Sequence, residues 1–560
     1  MHISILEHSK FHIMSLVITH GYLLTGTGSN LYVNNLVREL AKVGKEVNLL
    51  CQDFEPMAID FVNEYYEFNS ENTSYILKGE KASEFPGKVR VFKPNLNGFL
   101  PVYVYDHYEG YTVKEFPDCS DEEVESYVNQ NKNALELVVK DFGVEVVNTN
   151  HLVMFPHIAT LVKESTGVKH LITVHGSALN FTVKKDKRFE EFAKSSLIKA
   201  DEIIVDSLHA DDELKEFLDE VNLSELKQKV EIIPAGVDVT SFSLPTAQPD
   251  EMIQEFQDKI ALKVPTSSGR TTAQTEGILN QQGTIEEVIA SVNVLRESYD
   301  YRNVDQDVVT KVEKLKDGSH RVMFVGKYLW TKGLHLILFG IPKVLKQFPK
   351  AKFVFVGFGP YREPCEVIIN AIASNKLDEL EEVLKVQNSL FKGEEGNVKL
   401  LQEILVKEKA SLSQIISNLS FDIRDNIVFT GIAEHKELVK LLPAMDVLIA
   451  PSVFPEAFGM VAIEAMACGV YPVLTYQSAF KEISDEVIEA VKDYPFKINK
   501  VFLDENASDN IANNLIEYFN YKSGLTTCDF KSLQNILREV VMQNYSWEGI
   551  AQKYLKAYGI

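Results

Sequence analysis

"DVLIAPSVFPEAFGMVAIEAMACGVYPVLT", residues 446–475, decides how the chain is read. It opens on an apolar β-rich run (446–451) and closes on another (471–475). Between them lies a loop followed by small apolar residues at helical spacing, so the stretch reads as strand, crossover helix and parallel strand. Two carboxylates, Glu456 and Glu464, stand inside it with seven residues between them. Burying a charge costs several kcal/mol unless something pairs with it, so both acids need partners, and hydroxyl-rich ligands are one kind. On one continuous helix, eight steps would turn the second acid about 80° from the first. Pro455 and Gly459 instead predict that Glu456 to Phe458 form a loop and that a helix begins near Gly459. Glu464 then lies a turn or two down that helix, whose N-terminus favours anions.

The same alternation recurs outward in both directions. Strand-like runs fall at 12–20, 46–51, 144–149, 170–175, 202–206 and 230–234 in the first half, and at 321–326, 352–357, 426–431, 446–451 and 471–475 in the second. Amphipathic runs such as "LYVNNLVRELAKVG" separate them. The fold class expected is α/β, two Rossmann-like doubly wound domains facing a cleft, with helical and disordered-like insertions. The boundaries read as a first domain over 1–242, an insertion or linker over 243–319, a second domain over 320–535 with a helical insert at 362–425, and closing helices over 536–560. The tract "VPTSSGRTTAQTEG" inside 243–319 is polar and aperiodic and reads as a mobile insertion.

With 560 residues, 45% of them hydrophobic and 24% charged, the chain has the composition of a soluble globular protein of several domain-sized units. A formal charge of −23 and a pI near 5.1 argue against nonspecific binding to nucleic acid or anionic lipid. Five scattered cysteines without a CxxC pair suit a reducing cytosol and predict no metal site. No run of about eighteen uncharged apolar residues occurs, and the short apolar run 12–24 reads as a core strand rather than a signal peptide.

Four further motifs carry chemistry. In "TGTGSN" (25–30), Gly26 and Gly28 join a strand to a helix and let the backbone approach a phosphate or sugar. Leu31 stands where a dinucleotide fingerprint needs its third glycine, although Asp53 lies near the place of a ribose-binding acid. His175, in "LITVHGSALNF", ends a strand at a carboxyl edge, and Asn150 with His151 sits at an equivalent edge. In "RVMFVGKYLWTKGLHLIL", Lys327 follows Gly326 and Lys332 precedes Gly333, two cations flanking a strand-to-helix loop and placed to hold a diphosphate.

These pieces, in this order, resemble glycosyltransferase family 4, the retaining nucleotide-sugar transferases with the two-domain GT-B fold. The resemblance rests on "TGTGSNLYVNNLVRELAKVGKEV", "TVHGS", "ADEIIVDSLHADDEL", "IIPAGVDVTSF", "VGKYLWTKG", "VGFGPYRE", "FTGIAEHKELVKLLPAMDVLIAPS", "PEAFGMVAIEAMACGVYPV" and "YSWEGIAQKYL". It implies that Glu456 contacts the transferred sugar, that the backbone of Phe458, Gly459, Met460 and Val461 cradles sugar and phosphates, and that Glu464 binds the ribose hydroxyls. It implies that Lys327 and Lys332 neutralise the diphosphate, with Gly326 beside them, that His175 lies beside the reacting carbon, and that Gly26 and Gly28 lie near phosphates or acceptor. Lys327 departs from the arginine common there, keeping the charge but losing the bidentate fork. The implied donor is a UDP- or GDP-sugar, with no metal or other cofactor.

For the acceptor, a carbohydrate or a lipid-linked molecule, the segment 93–116 is crowded with aromatic residues, among them Tyr103, Tyr105, Tyr108 and Tyr111, which either stack on sugar rings or pack against the first domain. Asn150 and His151 complete the acceptor set. The cluster "KKDKR" (184–188) either attracts a phosphorylated acceptor or lipid head group or is a solvated loop. The expected location is cytoplasmic, at most peripheral to a membrane. A non-catalytic sugar-nucleotide-binding protein and a nicotinamide-dependent oxidoreductase are the alternatives.

Overall fold

The computed structural model describes residues 15–26, 28–104, 108–218, 226, 228–279, 283–296, 298–385, 398–496 and 500–560. The chain divides into two compact units, Met1–Gly236 with Trp547–Ile560, and Val237–Ser546.

The first unit is built on nine strands: β1 (Ser15–Thr19), β2 (Glu46–Leu50), β3 (Val62–Phe68), β4 (Tyr75–Glu80), β5 (Lys88–Lys93), then, after a separate parallel pair β6 (Phe99–Val102) and β7 (Thr112–Glu115), β8 (Val144–Asn150), β9 (Lys169–Val174), β10 (Glu202–Val205) and β11 (Val230–Ile232). They run in the order β11-β10-β9-β8-β1-β2-β5-β3-β4, parallel throughout except for the β3–β4 pair. Leu16, Val17 and Ile18 of β1 are wholly buried, as a strand covered by helices on both faces must be. The strand order reverses between β1 and β8, so the loops leaving these two strands share the crevice where open α/β sheets bind ligands.

All six strand-like runs of the first half lie on strands, with residues 12–14 outside the described set. Strands β3 to β5 were not among them. Their sequences, VNEYYEF, YILKGE and KVRVFK, mix apolar with charged residues, and Arg90 pairs with Glu46 at 3.0 Å and Glu64 at 3.1 Å along this flank. The closing helix Trp547–Tyr558 belongs to this unit. Tyr32 and Tyr554 share a hydroxyl hydrogen bond of 2.6 Å, Asn148 donates to the Tyr558 hydroxyl at 2.8 Å, and the Trp547 ring meets Tyr32 edge-on at 5.2 Å. Residues 536–546 stay with the second unit, as do 237–242.

The second unit is a five-stranded parallel sheet of β12 (His320–Val325), β13 (Ala351–Val356), β14 (Ile427–Phe429), β15 (Val447–Ala450) and β16 (Tyr471–Leu474), ordered β14-β13-β12-β15-β16. Each strand covers a run expected from the sequence. The order reverses between β12 and β15, which makes the carboxyl ends of these neighbours the switch point of this sheet.

The tract read as a mobile linker over 243–319 is instead part of this unit. It carries helices over Pro249–Ala261, Thr272–Leu279, Ile285–Arg296 and Val308–Glu313. Its first helix buries Met252, Ile253, Phe256 and Ile260, and ion pairs tie down the polar stretch that follows. Fully buried Arg270 donates to Glu363 at 2.9 Å and also pairs with Glu366, while Arg362 grips Asp305 with two hydrogen bonds of 2.6 and 2.7 Å. Burial alone would raise the Asp305 carboxyl, but Arg362 and Lys311 override it and hold it below its ordinary range. Such a network has no hydrophobic periodicity to read. The insert at 362–425 is helical where described, over Arg362–Ala373, Leu377–Lys385 and Val398–Asn418.

Removing one partner of a buried pair leaves the other charge uncompensated, at a cost of about 3–5 kcal/mol. Arg270→Ala is therefore expected to lower the unfolding free energy obtained from urea denaturation by an amount of that order, with a lower midpoint, and to expose 264–305 to proteolysis. An unchanged midpoint and digestion pattern would contradict this role for the pair.

Candidate functional site

The loops leaving β12 and β15 are joined before any side chain is considered. After β12 the chain makes a tight turn at Trp330–Lys332 and continues through Gly333 at φ 68°. A Cβ at Gly333 would lie 1.9 Å from the Pro451 carbonyl oxygen, so only glycine lets the two loops approach this closely. The Thr331 carbonyl then accepts N–H groups from Val453 at 2.9 Å and Phe454 at 3.3 Å.

This zipper sets Lys332 against Glu456, Nζ donating to Oε1 at 2.6 Å. The Ser452 hydroxyl donates to the same oxygen, and the Glu456 N–H donates to the Ser478 hydroxyl at 2.9 Å. The side chains of Lys332 and Glu456 are 33% and 19% exposed, so the pair stays open to solvent. Lys327, on the same loop as Lys332, is exposed and forms no ion pair among the described residues. Gly326 donates its N–H to the Val356 carbonyl at 3.0 Å, fixing the start of the loop to β13.

The expected helix begins where the sequence places it, at Met460, and runs to Ala467. Gly459 precedes it at φ 102°, and a Cβ there would meet the Phe480 ring at 2.2 Å. Among the described residues no side chain caps this helix; the Ala462 N–H donates to the Gly459 carbonyl at 3.0 Å, which leaves the N–H groups of Met460 and Val461 to an external acceptor. Phe458 is buried with its ring edge-on to Tyr545 at 5.6 Å, so its contribution to a ligand is its backbone.

Glu464, buried among Ala462, Ile463, Ala465 and Met466, answers the puzzle of an acid in an apolar helix: its Oε1 accepts from Nε2 of His435 at 2.9 Å. His435 was not read from the sequence. It lies in "AEHKEL", a charged helix start in which a histidine carries no signal of its own. Burial lowers its affinity for a proton, but the hydrogen bond and charge of Glu464, with Glu434 adding, leave its pKa above the ordinary value.

In the first unit the switch-point loops carry a ring cluster. His20 donates from Nε2 to the Asn30 Oδ1 at 2.8 Å, and Asn30 in turn donates to the Thr25 carbonyl at 2.7 Å, which shapes the loop of Gly26 (φ 106°) and Gly28 (φ 60°). His175 donates to Oδ1 of Asn150 at 3.0 Å, and its other ring nitrogen lies 3.6 Å from Asp206. His151 sits between them, its ring 4.9 Å from His175 and 4.4 Å from Tyr103, with both ring nitrogens buried and unpaired among the described residues. Burial drives the His20 pKa down to about 4 and holds His151 well below its ordinary range. Tyr108 stacks on Tyr22 at 5.7 Å, and Tyr103, Tyr108 and Tyr111 all pack against the core of this unit. Tyr105 lies outside the described residues.

Two readings from the sequence find structural explanations. Asp53 spends both oxygens on backbone, accepting from the N–H of Leu24 in the loop after β1 at 2.9 Å and from that of Glu55 in its own loop at 3.0 Å, and so has a structural task where a dinucleotide site would want a ribose partner. In the 184–188 cluster, Arg188 is tied to Asp186 and Asp121, both at 2.7 Å, and Lys184 donates to Asn180 at 2.9 Å. Among the described residues no group of three or more His, Cys, Asp or Glu is arranged to hold a metal ion.

Residues 405–523 match the family model described as glycosyl transferases group 1, a span that contains His435, Glu456 and Glu464. An uncharacterized glycosyltransferase of Methanocaldococcus jannaschii is 23% identical over 253 residues, 44% of this chain and 46% of the relative. The gpi3 subunit of phosphatidylinositol N-acetylglucosaminyltransferase of Schizosaccharomyces pombe is 21% identical over 239 residues, 42% of this chain and 37% of the relative. The chain thus spans less than half the length of these curated relatives. The crystal structure of a glycosyltransferase from Rickettsia africae aligns with 98% of this chain and 98% of its own at 14% identity, with a TM-score of 0.50. At that identity the likeness is one of fold, and the fold is GT-B, the α/β architecture expected from the sequence.

Because the His435 pKa is raised in the folded state, its pairing with Glu464 adds stability that is complete below the ordinary histidine value of 6.5 and fades as pH rises through the raised value. Urea midpoints of wild type and His435→Phe, compared from pH 6 to 9, are expected to differ most at the acid end and to converge at the alkaline end. A gap independent of pH would show that the pair contributes no charge to stability.

Proposed function

We propose that this protein is a retaining glycosyltransferase of family 4, moving a hexosyl unit from a UDP- or GDP-sugar to a hydroxyl of a saccharide, lipid-linked or small-molecule acceptor without a metal ion. The observation that carries the reading is the Lys332–Glu456 contact beside an uncapped helix start, at the point where the strand order of the second sheet reverses. The match of 405–523 to group 1 glycosyl transferases and the shared fold support it.

The division of labour follows from charge and donor count. An ammonium has three N–H donors, and Lys332 spends one on Glu456 and keeps others for a phosphate oxygen. The same cation thereby separates the carboxylate from the negative leaving group. Lys327 and the first-turn N–H groups after Gly459 add positive potential where charge develops as the sugar–phosphate bond breaks. The Glu456 carboxylate, held through Oε1, accepts hydroxyls of the transferred sugar, and Glu464 accepts those of the ribose. His175 serves the reacting sugar, with Asn150, His151 and Tyr108 on the acceptor side. Transfer proceeds by front-face displacement, the leaving phosphate taking the acceptor's proton. The protein works in the cytoplasm, at most peripherally on a membrane; among the described residues no helix is long and apolar enough to cross one.

Incubation with UDP-, GDP- and ADP-sugars without added metal is expected to release a nucleoside diphosphate from one donor class, by hydrolysis or transfer, and to give an α-linked product from an α-linked donor. Glu456→Gln, with unchanged melting in the absence of donor, is expected to slow this at least about 100-fold, the usual effect of deleting one group that acts on the transition state. Binding without turnover for every acceptor offered would favour the non-catalytic reading. A Glu456→Gln rate equal to wild type would remove the proposed chemistry.

A further inference from the structure

The Glu464 side chain is 9% exposed, and among the described residues the one protein donor that reaches its carboxylate is His435. An ionised carboxylate only accepts, so the His435 Nε2 must carry the hydrogen of their 2.9 Å contact. That leaves Oε2 with no donor among the described residues.

His435 is itself held firmly. It opens the helix His435–Leu441, whose start is fixed by a reciprocal capping box between Glu434 and Glu437. Lys263 clamps both acids, at 3.1 Å from Glu434 and 3.0 Å from Glu437, and Lys259 donates to the Lys436 carbonyl at 3.1 Å. The Phe242 ring stands edge-on to the imidazole at 5.7 Å. At 39% exposure the imidazole is the open side of the pair, on the loop that follows β14. Loops after β12, β14 and β15 therefore all contribute to the carboxyl end of this sheet, and the third contribution is a histidine.

We propose that His435 is a positioning residue for the donor nucleotide: by fixing Oε1 of Glu464 it orients the carboxylate and leaves Oε2 to accept the vicinal hydroxyls of a ribose. The inference rests on the reading of Glu464 as the ribose-binding acid. A single N–H suits this task better than a lysine or arginine, whose several donors would compete with the ligand's hydroxyls for the same carboxylate.

The test is the dissociation constant of UDP and of GDP, with donor KM and kcat, for the full-length wild type and four variants: His435→Phe, His435→Gln, Glu464→Gln and the double variant His435→Phe/Glu464→Gln. Losing a hydrogen bond that positions a charged group is expected to raise Kd and KM about tenfold in His435→Phe while kcat changes little. His435→Gln, which retains an N–H donor, is expected to recover most of the affinity. The double variant is expected to bind no more weakly than Glu464→Gln, since the two side chains act as one unit. Weakened binding in Glu464→Gln with His435→Phe unaffected, or a fall in kcat alone, would overturn the role of His435 and leave the ribose reading standing. Unweakened binding in Glu464→Gln, or no binding of either nucleotide to wild type, would overturn both.

Discussion

The second unit depends on a close approach of two backbones. Gly333 meets the Pro451 carbonyl in a space that admits no Cβ, and the Thr331 carbonyl takes two N–H groups from the facing loop. Once the loops after β12 and β15 are joined in this way, a lysine from one and a glutamate from the other have little choice but to pair. The paired side chains are partly exposed, and surface ion pairs contribute about 0–1 kcal/mol, so stability is a weak reason for the contact. Its value is positional. It sets a cation and an anion side by side at the mouth of an uncapped helix, with the charge order that a sugar attached to a diphosphate would require.

Much of this was legible before any coordinates. Each of the eleven strand-like runs overlies a strand, because parallel strands buried on both faces read as unbroken apolar stretches. Pro455 and Gly459 located the loop and the start of the helix that carries Glu464. The lysines flanking the loop after β12 were visible from spacing alone.

What escaped the sequence escaped for physical reasons. Strands β3 to β5 are half-buried and laced with charges, so their signal resembles that of a polar surface segment. The polar stretch of the 243–319 tract looked unstructured because Arg270 and Asp305 tie it to Glu363, Glu366 and Arg362, and ion pairs between distant residues leave no period in either partner's sequence. His435 was missed for the same reason: its partner is 29 residues away, and only the fold brings them within 2.9 Å. Asp53 shows the converse, an acid at a suggestive position whose oxygens tie the loop after β1 to the loop after β2.

The central claim is that the carboxyl end of the second sheet, between β12 and β15, is where the donor binds. Hydrogen–deuterium exchange of the full-length protein, with and without saturating UDP- or GDP-sugar, tests it most directly. The account predicts slowed exchange concentrated in 326–334 and 451–464, where the joined loops and the open helix start lie. Slowed exchange confined to other segments, with these two unchanged under a ligand shown to bind, would contradict it.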